Sequence, residues 1–422
     1  MRITAKGLKS RWRSLLLVLA VIGPGLVTAN ADNDAGGITT YTQAGTLYGY
    51  KMLFSILVIT FSLGVIQEMA ARMGAVTGKG LSDLIREEFG VRWTVFAMLV
   101  LLVANIAVTI AEFAGIAASF QVFGLGRLNW ILIPAIAALL WLLVVKGSYR
   151  MVERAFLVLS LVFAAYIISG LRARPDWGTV TRYLLVPHFE WNIGFIAMLI
   201  GVIGTTITPW MQFYLQSSVV DKGITAKDYR YTRLDVLFGA FVTDFVSFFI
   251  IVSAATAVYY VSGPRVIDTP AVAAQALRWV AGPYAAYLFA VGLFGASVLA
   301  APILPLTTSY AICEAFGWES GIDRRFGEAP VFYGLFTCMI LTGAGFVLVP
   351  WVQRNLVRVM LFSQFLNGVL APVIMVFMLR LINNRRLMGE HANGPVYNTI
   401  AWVTVGTIIV LTVAMLAMMI LA

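Results

Sequence analysis

The chain has 422 residues, 60% of them hydrophobic and only 12% charged. Apolar runs that dense exclude an ordinary soluble domain and describe a protein that crosses the bilayer many times. The net charge of +10 lies in the segments between those runs, so it speaks for orientation in a membrane and not for a nucleic-acid partner.

Eleven spans of about twenty apolar residues follow one another. They lie near 14–44, 52–73, 93–120, 129–146, 152–171, 191–219, 234–258, 283–314, 331–350, 356–380 and 397–421. The basic start, MRITAKGLKSRWR, leads into the first run without a small-residue cleavage site, so that run is expected to stay as an uncleaved span. With the N-terminus in the cytoplasm, 21 of the 30 lysines and arginines fall in inside segments. This asymmetry predicts a cytoplasmic N-terminus, an extracellular C-terminus and a plasma-membrane location. The whole chain reads as one transmembrane transporter domain, and nothing in it specifies an oligomer. Loop 74–91 is expected to hold a short interfacial helix capped by Ser82. Cys313 and Cys338 both fall in apolar segments and are expected to be buried.

Two spans are interrupted. The first carries GPGLVTANADNDAGGITTYTQAG from Gly23 to Gly45, with Asp32 and Asp34 beside the pair Gly36-Gly37. Carboxylates and freed backbone at that depth must face protein, water or a ligand. Asp34 therefore reads as a cation ligand, or else as the cap of a half-helix. Asp32 reads as a direct or water-mediated ligand, or as a charge at the mouth. The sixth span carries GVIGTTITPWMQFYLQSS, Gly201 to Ser218, in which Pro209 breaks the hydrogen-bond ladder just after Thr205, Thr206 and Thr208. Breaks in matching positions of two halves predict an inverted-repeat transporter. Spans 1–5 (about 14–171) form one repeat, spans 6–10 (about 191–380) the other, and span 11 (about 397–421) is added. The fold class is thus all-α, with a LeuT-like 5+5 arrangement, broken helices 1 and 6, and a site at the midplane.

At these residues the chain resembles the Nramp family of divalent-metal transporters. Gly23-Pro24-Gly25, Asp34-Ala35-Gly36-Gly37 and Gln43-Ala44-Gly45 stand at the spacing of that family's first helix. Gln67-Glu68-Met69-Ala70-Ala71-Arg72 with Thr77-Gly78-Lys79 is similar to its second helix, and Ser363-Gln364 with Pro372 to its tenth. The resemblance implies that Asp34 is the metal-binding aspartate, and that Ala31 and Thr205 offer backbone carbonyls. Where the family has Asn, this chain has Gly37; where the family has Met, it has Thr208. Trp210 replaces the first sixth-helix histidine, Thr109-x-x-Glu112 replaces an Asp-x-x-Glu pair, and 331–350 lacks the ninth-helix arginines. These departures resemble the Nramp-related magnesium transporter branch.

The substitutions have a physical direction. Thioether sulfur favours transition metals, whereas carboxylate, carbonyl and water suit Mg²⁺, Ca²⁺ and Mn²⁺. Mg²⁺ also keeps much of its hydration, and Gly37 makes room for that water. The expected substrate is Mg²⁺, with Mn²⁺ also carried, and no resident cofactor is implied. Gln364, Asn367 and Gln212 read as contacts to a hydrated ion or as interhelical hydrogen bonds. Glu68 and Arg72 read as an i,i+4 ion pair. Glu112 reads as a remnant of a proton path or as structure, and Asp244 has no assigned role. Both histidines, His188 and His391, lie outside the spans, so transport without proton coupling is expected. The alternatives are a proton-coupled Mn²⁺/Fe²⁺ symporter and an amino-acid transporter of the same architecture. A membrane enzyme is disfavoured, because no metal-hydrolase spacing, nucleophile elbow or phosphate loop occurs.

Overall fold

The structure, a computed structural model, describes residues 33–146, 163–227, 229–278, 282–322 and 324–421. Every regular element in it is helical. We label the main helices α1 (Ala35–Tyr48), α2 (Leu53–Thr77), α3 (Leu81–Val122), α4 (Asn129–Lys146), α5 (Phe163–Arg172), α6 (Trp177–Leu185), α7 (Ile193–Thr206), α8 (Pro209–Asp221), α9 (Tyr229–Ala254), α10 (Ala285–Phe316), α11 (Pro330–Val347), α12 (Leu356–Ile382) and α13 (Pro395–Leu421). Among the described residues, nine helical stretches are long and apolar enough to cross a bilayer, taking α7 and α8 as one. They match expected spans 2, 3, 4, 6, 7, 8, 9, 10 and 11. The first part of span 1 and most of span 5 lie outside the described residues, which retain 35–48 and 163–172 of them.

Burial sorts the helices into centre and rim. The most apolar window of the interrupted stretch 193–221 is 78% buried, whereas that of 395–421 is 22% buried. The interrupted segment therefore sits among other helices, and α13 lies at the edge. Large apolar side chains such as Phe61, Phe238 and Phe241 are exposed on outer faces, where a bilayer replaces water as the solvent.

Helices without a hydrophobic drive between them pack where small residues let backbones approach. Here α7 meets α12 at Gly204 and Gly368. A Cβ on Gly204 would strike the Gln364 carbonyl and the Gly368 backbone, with Gly368 Cα at 2.7 Å. Neither obstacle is a flexible side-chain end. Gly204→Ala is expected to destabilise the protein by roughly 1–3 kcal/mol. A fall in the melting temperature of the detergent-solubilised protein checks this, and an unchanged melt would refute the close approach.

The short helix expected in segment 74–91 is present as 81–89, after α2 ends at Thr77, whereas two other local expectations need correction. Gly90 at φ 76° then bends α3, a backbone conformation that L side chains rarely adopt, so 81–89 and 91–122 are two helical arms. Ser82 is not the cap; Gly80 is, and the Ser82 hydroxyl instead donates to Glu314 Oε2 at 2.9 Å. Cys313 is buried as expected, but Cys338 is exposed on the rim helix α11. The pair Glu68–Arg72 does form, at 3.1 Å, and Arg72 also donates to the His391 carbonyl and to Asn393. On the opposite end of the bundle, Lys51 meets Glu190 at 2.5 Å, which holds the Glu190 carboxyl below its usual range.

Candidate functional site

Non-helical backbone at Asn33-Asp34 leads into α1, and the glycine pair forms the first turn of that helix instead of ending one. Asp34 has extended backbone (φ −69°, ψ −179°) and caps α1, its Oδ1 accepting the Gly37 N–H at 2.5 Å. Gly37 thus contributes its backbone here. The N-terminal end of α1 carries partial positive charge, which favours a carboxylate at that place. Asp34 is 3% exposed.

A second helix completes the carboxylate's surroundings. Gln364 of α12 donates its Nε2 hydrogens to Asp34 Oδ1 at 3.2 Å and Oδ2 at 3.3 Å. Asn367, one turn further, donates to Gln364 Oε1 at 3.2 Å and so orients that amide. Gly36 packs directly against the Gln364 side chain, where any larger residue would displace the amide. The Ala35 N–H reaches Glu112 Oε2 of α3 at 3.4 Å, so α3 also meets the start of α1.

The break in span 6 is built differently. Pro209 opens α8 and has no N–H, so the Thr205 carbonyl four residues earlier loses its usual donor. Thr208 is extended (φ −80°, ψ 145°) and caps α8 without a side-chain hydrogen bond. The hydroxyls of Thr205 and Thr208, and both amide atoms of Gln212, are buried without a hydrogen-bond partner among the described residues. Gln212 follows Thr208 by one turn and lies on its face. Polar atoms so placed are not serving the fold, since buried polar groups are normally paired.

Three helices bring these groups together. The Gln364 backbone carbonyl lies against Gly204, next to Thr205, while its side chain holds Asp34. Tyr41 of α1 joins Thr206 of α7 at 2.7 Å. Asp34, Gln364 and Asn367 are therefore linked by hydrogen bonds, and Thr205 stands beside the contact between Gly204 and Gln364. Ala31 and Asp32 lie outside the described residues. Sequence reasoning did not foresee the bond from Ala35 to Glu112, nor that between Ser247 and Asn33, because both join residues far apart in the chain.

The family profile described as "Natural resistance-associated macrophage protein-like" matches residues 25–418, which takes in both breaks and nearly every helix. This chain belongs to the Nramp family. A relative within reach of this Nramp chain is the "Divalent metal cation transporter MntH" of Yersinia enterocolitica, 28% identical over 94% of this chain and 93% of that protein. MntH of Bacillus subtilis is 26% identical over 94% of this chain and 91% of its own length. Among solved structures, the manganese transporter of Eremococcus coleocola superposes with a TM-score of 0.74, at 21% identity, over 99% of this chain and 88% of that one. The same Nramp fold is also shared, at a TM-score of 0.57 and 16% identity, with MhsT, a LeuT-fold transporter crystallised with L-phenylalanine.

Proposed function

We propose that this Nramp protein is a divalent metal cation transporter that carries Mg²⁺, and also Mn²⁺, by alternating access without proton coupling. Transport of a divalent cation is supported by the relatives and by a carboxylate buried at the mouth of a half-helix. Asp34 is the charged ligand, with Thr208, the carbonyls of Ala31 and Thr205, and the space at Gly37 completing a wide, partly hydrated site. Asp32, Gln364, Asn367 and Gln212 meet the ion through its water. The observation that carries the Mg²⁺ reading is the unpartnered hydroxyl of Thr208, a hard oxygen where a thioether would select transition metals.

The site argues against an amino-acid substrate. In that case the positive end of α1 would receive the substrate carboxylate, but Asp34 already occupies it. The group that favours proton coupling is Glu112, one oxygen of which is buried without a partner beside α1. Against it stand the absence of histidine from the spans and a sufficient electrical drive. A doubly charged ion moving through 100 mV gains about twice 2.3 kcal/mol, so uptake into a negative interior needs no second ion. The protein sits in the plasma membrane with its N-terminus inside and its C-terminus outside.

Purified protein in liposomes, loaded with a pH dye and a divalent-metal indicator, tests both parts. Uptake of Mg²⁺ and Mn²⁺ driven by an inside-negative potential is expected, with no acidification of the lumen. Acidification that follows metal addition would overturn the uncoupled reading, and failure to take up Mg²⁺ would overturn the substrate.

A further inference from the structure

The end of α12, the start of α13 and the first arm of α3 surround an open cavity of about 580 Å³ at the rim of the bundle. Those ends adjoin segments 78–80 and 383–394, which lie on the proposed cytoplasmic side. Trp402 of α13 is 44% exposed, so the cavity opens to the lipid around the bundle. Its wall changes with depth. Phe89, Leu379 and Trp402 make one part apolar. Asn398 lies one turn before Trp402, about 6 Å nearer the cytoplasmic end of α13, and Arg380 lies in the last turn of α12. An aromatic and apolar wall with a cation at its water end matches the interface of a bilayer.

Donors in this cavity are left over. Other arginines on the same side are engaged: Arg72 with Glu68, Arg86 with the Ala315 carbonyl, and Arg233 with Tyr397. The exposed Arg380 guanidinium makes no hydrogen bond or ion pair among the described residues. Asn383 donates to Asn398 Oδ1 at 2.7 Å, which fixes that amide, and the Asn398 Nδ2 hydrogens have no partner among the described residues. Glu88 is the one acid in the lining, and its Oε2 accepts from Asn384 at 2.7 Å. Arg385 and Arg386 follow Asn384 directly, both exposed and without a side-chain ion pair among the described residues. Three arginines therefore stand against one carboxylate. The phosphodiester of a lipid offers one charge and two free oxygens to a guanidinium and an amide, and its tail suits the apolar wall. A zwitterionic headgroup would add an ammonium to this surplus of positive charge, so a net anionic lipid fits better.

We propose that this cavity binds one anionic phospholipid, whose phosphate pairs with Arg380 and the Asn398 amide while its acyl chains pass Trp402 toward the bilayer centre. Basic pockets between membrane helices on the cytoplasmic side recognise such headgroups. The leaflet rests on the proposed orientation; the site itself does not, and it is independent of Asp34 and of the ion carried. A lipid held there bridges α3, α12 and α13, so it stabilises the folded bundle by binding to it.

Native mass spectrometry of the full-length protein in detergent, with dioleoylphosphatidylglycerol and dioleoylphosphatidylcholine supplied together, tests the site. One phosphatidylglycerol is expected to stay bound in preference to phosphatidylcholine. Arg380→Gln is expected to lower that preference about fivefold. Lys227→Gln, which removes an exposed cation on the same side, is expected to leave it unchanged. Glu88→Gln is expected to raise it. The melting temperature should rise with phosphatidylglycerol in the unaltered protein and not in Arg380→Gln. Equal retention of the two lipids overturns the proposal, as does an equal loss in Arg380→Gln and Lys227→Gln, which a diffuse surface charge would produce. Should Arg380→Gln fail to fold, a lowered preference in Glu88→Gln overturns it instead. Excess inorganic phosphate is expected not to displace the lipid, because it has nothing to place on the apolar wall; displacement would show a free-phosphate site and overturn the lipid assignment.

Discussion

Replacing Asp34 by alanine is expected to reduce uptake of both Mg²⁺ and Mn²⁺ at least about 100-fold, a loss of about 2.8 kcal/mol or more in handling the ion. Asp34 shares the start of α1 with the Glu112 carboxylate, and its own buried oxygens are aimed and held by the Gly37 N–H and the Gln364 amide. Both of those partners are neutral donors, so they orient the charge without cancelling it. A dication entering the gap would supply the neutralisation that they do not. Alanine also removes a helix cap, worth about 1 kcal/mol of stability, so the alanine variant alone mixes two effects. Asp34→Asn separates them. The amide oxygen can still accept from Gly37, whereas the negative charge is gone. Loss of uptake in both variants, with a normal melting temperature in Asp34→Asn, assigns the loss to the ion. Uptake that survives in Asp34→Asn would remove the basis of the proposed function.

Thr208→Met is expected to turn selectivity toward soft ions. The ratio of Mn²⁺ or Cd²⁺ uptake to Mg²⁺ uptake should rise about tenfold or more, equivalent to about 1.4 kcal/mol. The exchange breaks no hydrogen bond, because the Thr208 hydroxyl has no partner among the described residues and makes no cap. It places a thioether at the N-terminal end of α8, which the proposed site sets beside the ion. Sulfur gains from Cd²⁺ or Mn²⁺ what it cannot gain from Mg²⁺, whose preferred ligands are oxygen and water. The longer side chain also displaces water that Mg²⁺ would keep. Competition of Cd²⁺ against Mg²⁺ flux in liposomes measures the change. An unaltered competition profile would place Thr208 away from the ion.

Nine of the eleven expected spans and the break at Pro209 were legible in the sequence for a local reason. Hydropathy sums over about twenty consecutive residues, and a carboxylate, a glycine pair or a proline inside such a window contradicts its surroundings without reference to any other part of the chain. Asp34 and Pro209 stand out on that basis. The structure starts α1 at Ala35, after non-helical backbone at Asn33-Asp34, because Gly36 and Gly37 are tolerated in a first helical turn whose N–H groups a side chain can cap. The likeness of the motifs around Gly23, Asp34 and Gln43 to the Nramp family was equally local, and the match over 25–418 bears it out.

Partners across the bundle were not legible. Gln364 lies 330 residues from the aspartate it holds, and Glu112 lies 77 residues from the N–H it meets. Hydropathy carries no term for which apolar helix packs on which. The decision is made by close approach at Gly36, Gly204 and Gly368, where the absence of a side chain lets α1, α7 and α12 touch around Gln364. Ser82 shows the same limit on a smaller scale: its composition suggests a cap, yet the approach of Glu314 from α10 claims its hydroxyl. The sequence by itself therefore determined nine of the apolar spans, the interruption at Pro209 and the acid that caps α1. Tertiary packing alone decided which polar groups surround that acid, and which buried oxygens, at Thr205 and Thr208, have no partner among the described residues.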